Sequence, residues 1–414
     1  MVTDTARAEI DRLYKSHYGL LVSSLLAHFK DVNLETIEDV VQDSFASALT
    51  GWTKDNTPLN PAGWIYTVCR NKLIDKIKRE KKVRFLFDYE DFTVPEPEFS
   101  ESTFDDQKLA LLFACAHPDL TPKVQVVITL KYVANLRIEA IAKVLGMTIE
   151  GIDKLLLRAR QKIRDENILL IEPGLNSLRH RLPIVNKIVY LIFNEGYKSS
   201  SGEELVKEDL CEEALLLNKT LLDKRIGDGA TAAIQALMLF NVARFKARFG
   251  PGGELLDLEE QDRGLWDPIL ISMATELLAQ AKGGEFSAYH YEASIAYLHC
   301  TAKTFQSTNW VLISSLYRQL LEMNPNPFVE LNYAVALYYS GQKEEAFAIL
   351  HRLEVTPFFS QYYLLNATLG KFWSLEGDPV RGKEYFLRTL EQTASPVERQ
   401  FIEKKIKELS RFGM

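Results

Sequence analysis

Apolar residues recur at intervals of three and four along almost the whole chain. "ISMATELLAQAK", "WVLISSLYRQLLEM" and "FVELNYAVALYYS" all carry this spacing, which gathers apolar side chains into one stripe of an α-helix. No segments alternate at period two between hairpin turns, so the pattern predicts an all-α protein. The periodicity fades twice. "DYEDFTVPEPEFSESTFDD", residues 88–106, is acidic and holds two prolines, which marks a linker. Near residues 165–183, Pro173-Gly174 interrupts the helical pattern. These breaks predict a first domain over 1–84, an acidic linker over 85–107, a second domain over 108–170 and a large helical domain over 171–414.

A weak repeat appears within the last part. "NPFVELNYAVALYYSGQKEEAFAIL" and "SQYYLLNATLGKFWSLEGDPVRGKEYFLRTL" each read as helix, glycine turn, helix. Gly341 and Gly377 lie 36 residues apart, as do Ala346 and Gly382. The period is close to the roughly 34 residues of a tetratricopeptide (TPR) repeat. "SAYHYEASIAYLHCTAKTFQSTNWVLISSLYRQLLEMNP" reads as an earlier unit, so TPR-like organisation is clearest over about 286–410. A helical bundle without repeats accounts for the same apolar spacing and stays open at this point.

"IEAIAKVLGMTIEGIDKLLL", residues 138–157, reads as a helix-turn-helix. Ala142 is the small residue that passes under the second helix, and Gly146 is the turn glycine, able to take the left-handed conformation that ends a helix. Ile141, Leu145, Met147 and Ile152 fall on core positions, and Thr148 suits the second N-cap. Ile152, Leu156, Ala159 and Ile163 then form one inward stripe. Lys154, Arg158, Arg160, Lys162 and Arg164 lie wholly or partly outside it, as contacts to bases and phosphates require. Two packed helices with no DNA role fit the stretch equally well.

Charge distribution shifts that balance. The 414-residue chain carries 49 Lys+Arg against 56 Asp+Glu, a formal net charge of -7. The sum hides an uneven placement. Residues 61–84 hold eight basic residues against two acidic, residues 85–130 two against nine, and residues 131–164 eight against three. Two basic helical segments therefore flank an acidic tether. In the first, "PAGWIYTVCRNKLIDKIKREKK", Pro61 suits a helix start, and Trp64, Val68 or Ile65, and Leu73 form an apolar face. Arg70, Lys72, Lys76 and Arg79 make a cationic helix able to follow phosphates, while Trp64 and Tyr66 offer flat faces to unstacked bases.

Other chemistry is absent from the pattern. Cys69, Cys115, Cys211 and Cys300 stand far apart without a CxxC pair, which predicts no disulfide framework and a reducing compartment. No metal cluster, phosphate loop or nucleophile elbow is legible. The N-terminus lacks an apolar secretory core and no run of 18 apolar residues occurs, so a soluble cytoplasmic protein without membrane partners is expected.

"EDVVQDSF" (38–45), "PAGWIYTVCRNKLIDKIKR" (61–79) and "LTPKVQVVITLKYVANLRIEAIAKVLGMTIEGIDKLLLRARQKIR" (120–164) together resemble regions 2 and 4 of extracytoplasmic-function (ECF) sigma factors. "YLIFNEGYKSSSG" (190–202) and "EEQDRGLWDPILI" (259–271) are similar to a subgroup with a long TPR-like C-terminal extension. The resemblance implies two small helical sigma domains, region 2 and a region 4 helix-turn-helix, ahead of that large domain. It implies a non-catalytic specificity subunit, free of cofactors, whose partners are core RNA polymerase, through its β′ clamp helices and β flap, and promoter DNA.

By the same resemblance, Asp39, Gln42 and Asp43 dock on the polymerase. Trp64, Arg70, Asn71, Lys72, Lys76 and Arg79 hold the melted −10 element, with Asp75 beside them. Thr148, Glu150, Gly151, Lys154, Arg158 and Arg160 read the −35 element. Asn194, Glu195, Tyr197, Asp262 and Arg263, in two loop-like stretches, are candidates for regulation or interdomain contact, with a regulatory protein or ligand at the C-terminal domain. Arg137 departs from the family's Ser or Thr cap, and Asp153, Leu155 and Leu157 depart from its polar or basic recognition positions. A TPR-type scaffold and an enzyme built on Glu195 with Asp262 or His180 are the competing classes. The "EDVVQDSF" and "RNKLIDKIKR" segments speak against the scaffold. Two carboxylates far apart in sequence give the enzyme no acid–base geometry.

Overall fold

The computed structural model describes residues 4–29, 32–52, 56–81, 101–166, 168, 175–197, 208–252, 254–282, 286–357, 359–393 and 395–412. The chain divides into two compact units, Met1–Ile226 and Gly227–Met414. Among the described residues the regular structure is helical, apart from one isolated bridge between Phe249 and Leu255 and three short 3-10 turns. The all-α expectation is met.

The first unit begins with α1 (Asp4–His28), α2 (Leu34–Gly51) and α3 (Pro61–Lys81). Asn33 starts α2 by accepting the Thr36 N–H at 2.8 Å. Leu34, Ile37, Val41, Phe45 and Ala48 of α2, Leu21 and Leu25 of α1, and Ile65, Cys69 and Leu73 of α3 are all buried, and α2 packs on both neighbours. Each aliphatic side chain withdrawn from water contributes roughly 1.5–3 kcal/mol. Of the apolar face expected for residues 61–82, Ile65 and Leu73 are buried, while Trp64 and Val68 are half-buried.

Four helices follow: α4 (Glu101–Cys115), α5 (Pro122–Tyr132), α6 (Ile138–Val144) and α7 (Ile149–Asp165). The expected linker is therefore helical from Glu101, and its part up to residue 100 lies outside the described residues. Next come α8 (Leu175–Tyr197) and α9 (Glu208–Asp223), which pack against α4 and α5 within the same unit. The Arg181 guanidinium donates to the Phe113 carbonyl at 2.7 Å. Lys108 pairs with Glu213 at 2.7 Å, where burial pushes the glutamate pKa up against the pull of the lysine. The compact unit thus continues past the domain boundary expected at residue 171, because the apolar faces of α8 and α9 cover α4 and α5. The Pro173-Gly174 break lies outside the described residues.

The second unit is a succession of antiparallel helices. They are α10 (Gly229–Val242), α11 (Pro268–Gln280), α12 (Ala288–Thr301), α13 (Trp310–Met323), α14 (Pro327–Tyr339), α15 (Lys343–Glu354), α16 (Tyr363–Leu375), α17 (Pro379–Gln392) and α18 (Pro396–Phe412). A capping box between Asp228 and Thr231 starts α10. The two segments read as repeats are the hairpins α14/α15 and α16/α17. Gly341 and Gly377 take φ of +92° and +83°. In each turn the next residue closes the helix, Gln342 N–H on the Leu337 carbonyl and Asp378 N–H on the Trp373 carbonyl, both at 2.9 Å. Ala346 is fully buried. At its repeat partner Gly382 a Cβ would stand 2.9 Å from the Gly370 carbonyl oxygen, so small residues let the paired helices approach.

Candidate nucleic-acid interface

The turn between α6 and α7 forms as its residues dictate. Gly146 adopts φ +60°, and the Met147 N–H bonds the Ala142 carbonyl at 2.8 Å. Thr148 Oγ1 accepts the Gly151 N–H at 3.1 Å and caps α7. Arg137 begins α6 without a side-chain cap, as its departure from Ser or Thr implies. Ala142, Ile141, Ile152, Leu156, Ala159 and Ile163 are buried, so the expected inward stripe is present. Leu145 and Met147 are only half-buried.

The opposite face of α7 exposes Glu150, Asp153, Lys154 and Arg158, with Gly151 half-buried near its start. Leu157 joins them at 52% exposure. Arg160 does not belong to this face. Its Nη2 stands 2.8 Å from Glu38 Oε2 of α2, a carboxylate only 4% exposed. Tyr18 of α1 donates its hydroxyl to the same carboxylate at 3.2 Å. The ring of Tyr132, fully enclosed, comes from α5. Burial drives the Glu38 pKa up, opposed mainly by the positive charge of Arg160. In this packing the Arg160 guanidinium, expected among the DNA contacts, is engaged by a buried anion instead of facing solvent.

Beside this cluster, α1 and α5 touch backbone to backbone. A Cβ on Gly19 would lie 1.8 Å from the Tyr132 carbonyl oxygen. Asn135, in a left-handed conformation at φ 46°, donates from Nδ2 to the Tyr14 carbonyl at 3.2 Å. The three-helix domain and the helix-turn-helix domain are thus packed on each other.

On α3 the cations split into two groups. Lys72 donates to the Asp43 carbonyl at 2.7 Å and to Ser47 Oγ at 2.8 Å, and Lys76 lies 3.9 Å from Asp39 Oδ2. Both tie α3 to α2. Asn71, Asp75, Lys78 and Arg79 are exposed along the rest of the helix, and Arg70 is half-buried. Trp64 is half-buried and packs edge-on against buried Trp52, ring centroids 5.3 Å apart. Tyr66 is 2% exposed, so the expectation that its ring meets bases is corrected: it is part of the core. Asp39, Gln42 and Asp43 are exposed along one side of α2, as positions three and four apart should be.

The candidate regulatory residues occupy ordinary structural positions. Asn194, Glu195 and Tyr197 form the last turn of α8 rather than a loop. Glu195 is buried, and the Tyr197 ring stacks on Phe193. Residues 198–202 of that stretch lie outside the described residues. Asp262 accepts the Gly264 N–H at 2.8 Å. Arg263 donates to the His299 and Ala302 carbonyls at 2.6 and 2.8 Å, capping the end of α12. All four cysteines are buried, and none forms a disulfide. Among the described residues no group of three or more His, Cys, Asp or Glu gathers to hold a metal, and no helix is long and apolar enough to cross a membrane.

The Sigma-70 region 2 family matches residues 13–83, and the Sigma-70 region 4 family matches residues 110–163. The chain is a sigma factor. Region 2 corresponds to α1–α3, and region 4 to the stretch from α4 through α7. A family of unknown function (DUF6596) matches residues 181–282. An uncharacterized protein of Rhizobium meliloti, R00370, is 30% identical over 417 residues, 99% of this chain and 97% of that one, so the two belong to one family. The RNA polymerase sigma factor YlaC of Bacillus subtilis is 25% identical over 166 residues, 38% of this chain and 91% of that protein. The ECF RNA polymerase sigma factor SigE of Mycolicibacterium smegmatis is 23% identical over 165 residues, 39% and 60% respectively. No solved structure gives a significant match.

Sequence reasoning passed over Glu38, Tyr18 and Tyr132 in this sigma factor. One signal was available. Glu38 falls on the same inward stripe of α2 as Leu34, Ile37, Val41 and Phe45, and a carboxylate there needs a buried partner. Its partner, in the other sigma region, carries no local mark.

Proposed function

We propose that this sigma factor is of the extracytoplasmic-function type, binds core RNA polymerase in the cytoplasm and directs it to promoters without catalysis of its own. The observation that supports this most is the exposed face of α7, where a Thr148 cap sets up Lys154 and Arg158 above a wholly buried stripe. These two cations suit the −35 element, with Thr148, Glu150 and Gly151 at the helix start nearest the bases. Trp64, Arg70, Asn71 and Arg79 suit the melted −10 strand. Lys72 and Lys76 act there through the α2–α3 brace. Asp39, Gln42 and Asp43 form a polar and acidic docking side for the β′ clamp helices, and region 4 meets the β flap.

Geometry adds a condition. Elements named −10 and −35 lie about 25 base pairs apart, about 85 Å along B-DNA at about 3.4 Å per pair. The closed packing of α7 on α2 at Arg160–Glu38 cannot span that distance. The chain between Lys81 and Glu101 reaches about 65 Å when extended, so separation of the two regions supplies the span. The closed state is the resting form, and polymerase binding selects the open one. The TPR-like C-terminal part regulates this step in cis, through a protein or ligand partner, as its fusion to the sigma regions along nearly the full length of the R00370 relative supports.

Transcription with purified core polymerase tests the reading. The full chain should bind core and start transcripts at defined positions, and failure to bind core overturns it. Residues 1–226 alone, a compact unit, should differ from the full chain in activity or promoter preference. Equal behaviour removes the regulatory role.

A further inference from the structure

Between Phe249 and Trp266 the chain leaves the helical succession and lies along α12, α13, α14, α16 and α18. Leu258 packs with the cluster of Ile295, Phe305, Trp310, Ile313 and Ala336. Its neighbours are anions that meet cations from far along the chain. Asp257 and Glu259 stand 3.1 and 3.2 Å from Lys371 of α16. Glu260 stands 2.8 Å from Lys405 and 3.5 Å from Lys404 of α18, and Lys405 also lies 3.6 Å from Asp257.

This segment has the form of a bound peptide. Among its described residues up to Asp262 it forms no helix, only the single bridge from Phe249 to Leu255 and tight turns such as Gln261 N–H on the Asp257 carbonyl. One apolar side chain enters the groove, and flanking carboxylates meet lysines of the walls. Space remains on both sides of it. A cavity of about 240 Å³ touches Asp257, Leu258 and Glu259 along with Trp310, Tyr339 and Phe372. Another of about 420 Å³ runs from Asp257, Lys371 and Lys405 past Phe386, Phe401 and Leu409. Groove surface beyond the segment is therefore open to a longer chain.

We propose that residues 254–260 are a built-in occupant of a groove for acidic peptides. The external partner is a protein segment with a leucine flanked by carboxylates, which displaces the segment and takes over Lys371, Lys404 and Lys405. Charge complementarity selects this occupant: the segment contributes Asp257, Glu259 and Glu260, and the walls answer with three lysines. Being tethered, the segment competes at an effective concentration in the millimolar range. The groove is thus closed to weak ligands until the segment is loosened. The inference does not depend on polymerase or promoter binding, and its test contains neither.

A fluorescent peptide with the sequence of residues 254–262, ELLDLEEQD, is titrated into the full chain. Three variants are compared: Asp257→Asn with Glu259→Gln and Glu260→Gln, Glu259→Gln alone, and the triple change with Lys371→Ala and Lys405→Ala added. The triple variant should bind the peptide at least tenfold more tightly than the unaltered chain, and Glu259→Gln should bind by a smaller gain. The lysine changes should abolish the gain, and a peptide with Asn and Gln for its acids should not bind. A folded triple variant that binds no better than the unaltered chain overturns the proposal. So does equal binding of the neutral peptide, which would mean apolar docking alone. Should circular dichroism show the triple variant unfolded, Glu259→Gln decides, since its carboxylate is exposed and meets only Lys371 among the groove lysines.

Discussion

Arg160 of the recognition helix α7 and Glu38 of α2 form an ion pair at 2.8 Å across the packed sigma regions. The glutamate side chain is 5% exposed and the arginine 28%. Removing either partner leaves the other poorly solvated, so the pair acts through what its absence leaves behind. Arg160→Ala should destabilise the first unit by on the order of 3 kcal/mol. Replacing both, with Glu38→Leu and Arg160→Met, should cost much less than that single change, since no buried charge remains. Urea unfolding of the full chain, followed by a probe in the first unit, measures both. A double variant as unstable as Arg160→Ala would show that packing rather than charge is lost.

The same carboxyl gives a pH dependence with a definite sign. Burial raises its pKa, and Arg160, Tyr132, Tyr18 and Lys131 only partly restore the charged form. Between the unfolded value near about 4.3 and the raised folded value, the native chain binds more protons than the unfolded one. The contribution of Glu38 is therefore complete below the unfolded value and is lost as pH rises through the folded one. Relative to Glu38→Gln, the unaltered chain should gain stability as pH falls from neutrality towards the unfolded value of about 4.3. Melting at the two ends of that range checks the sign, because other titrating groups are common to both proteins. A constant difference would leave the raised pKa without consequence for folding.

Where a residue's role is set by neighbours along the chain, the sequence was legible. The Gly146 turn, the Thr148 cap, the stripe from Ile152 to Ile163 and the paired glycine turns at Gly341 and Gly377 all follow from local chemistry. Where the role is set by a distant helix, it was not. Arg160 looks outward by its position on α7, and only the approach of α2 turns it into a buried partner. Tyr66 and Trp64 are typical of a base-stacking helix by composition, yet the core claims Tyr66 wholly and Trp64 in part. Glu195 and Arg263 read as loop chemistry because the continuation of α8 that holds Glu195 and the α12 carbonyls that Arg263 meets leave no trace nearby.

The approach of α1 to α5 rests on one absent side chain. A methyl group at position 19 would fall 1.8 Å from the Tyr132 carbonyl oxygen, which backbone cannot yield without separating the helices. Gly19→Ala should destabilise the first unit by more than about 2 kcal/mol. Gly51→Ala, at the end of α2 with nothing within 4 Å of the new carbon, should be neutral or stabilise by up to about 1 kcal/mol, as helix propensity favours alanine. Denaturant midpoints of the two variants give the comparison. Similar losses at both positions would remove the close approach as the cause.

Lys154 and Arg158 are outward cations of α7, whereas Lys162 and Arg164 nearer its end pair with Glu166 and Asp165. Both are exposed, and neither supports the buried stripe, so Lys154→Ala with Arg158→Ala should leave folding unchanged. Every phosphate that a protein cation no longer neutralises lowers the logarithmic salt slope of binding by about 0.9. If both cations meet phosphates, the slope for promoter binding by the polymerase complex should fall by about 2. Binding to core polymerase, assigned to other surfaces, should not change. Arg160→Ala makes the informative contrast. Its guanidinium faces Glu38 in the closed state, so its loss should lower stability, and a further fall in the salt slope would place it on a phosphate once the regions separate. Transcription that persists unchanged in the double variant would move the DNA-reading face away from α7.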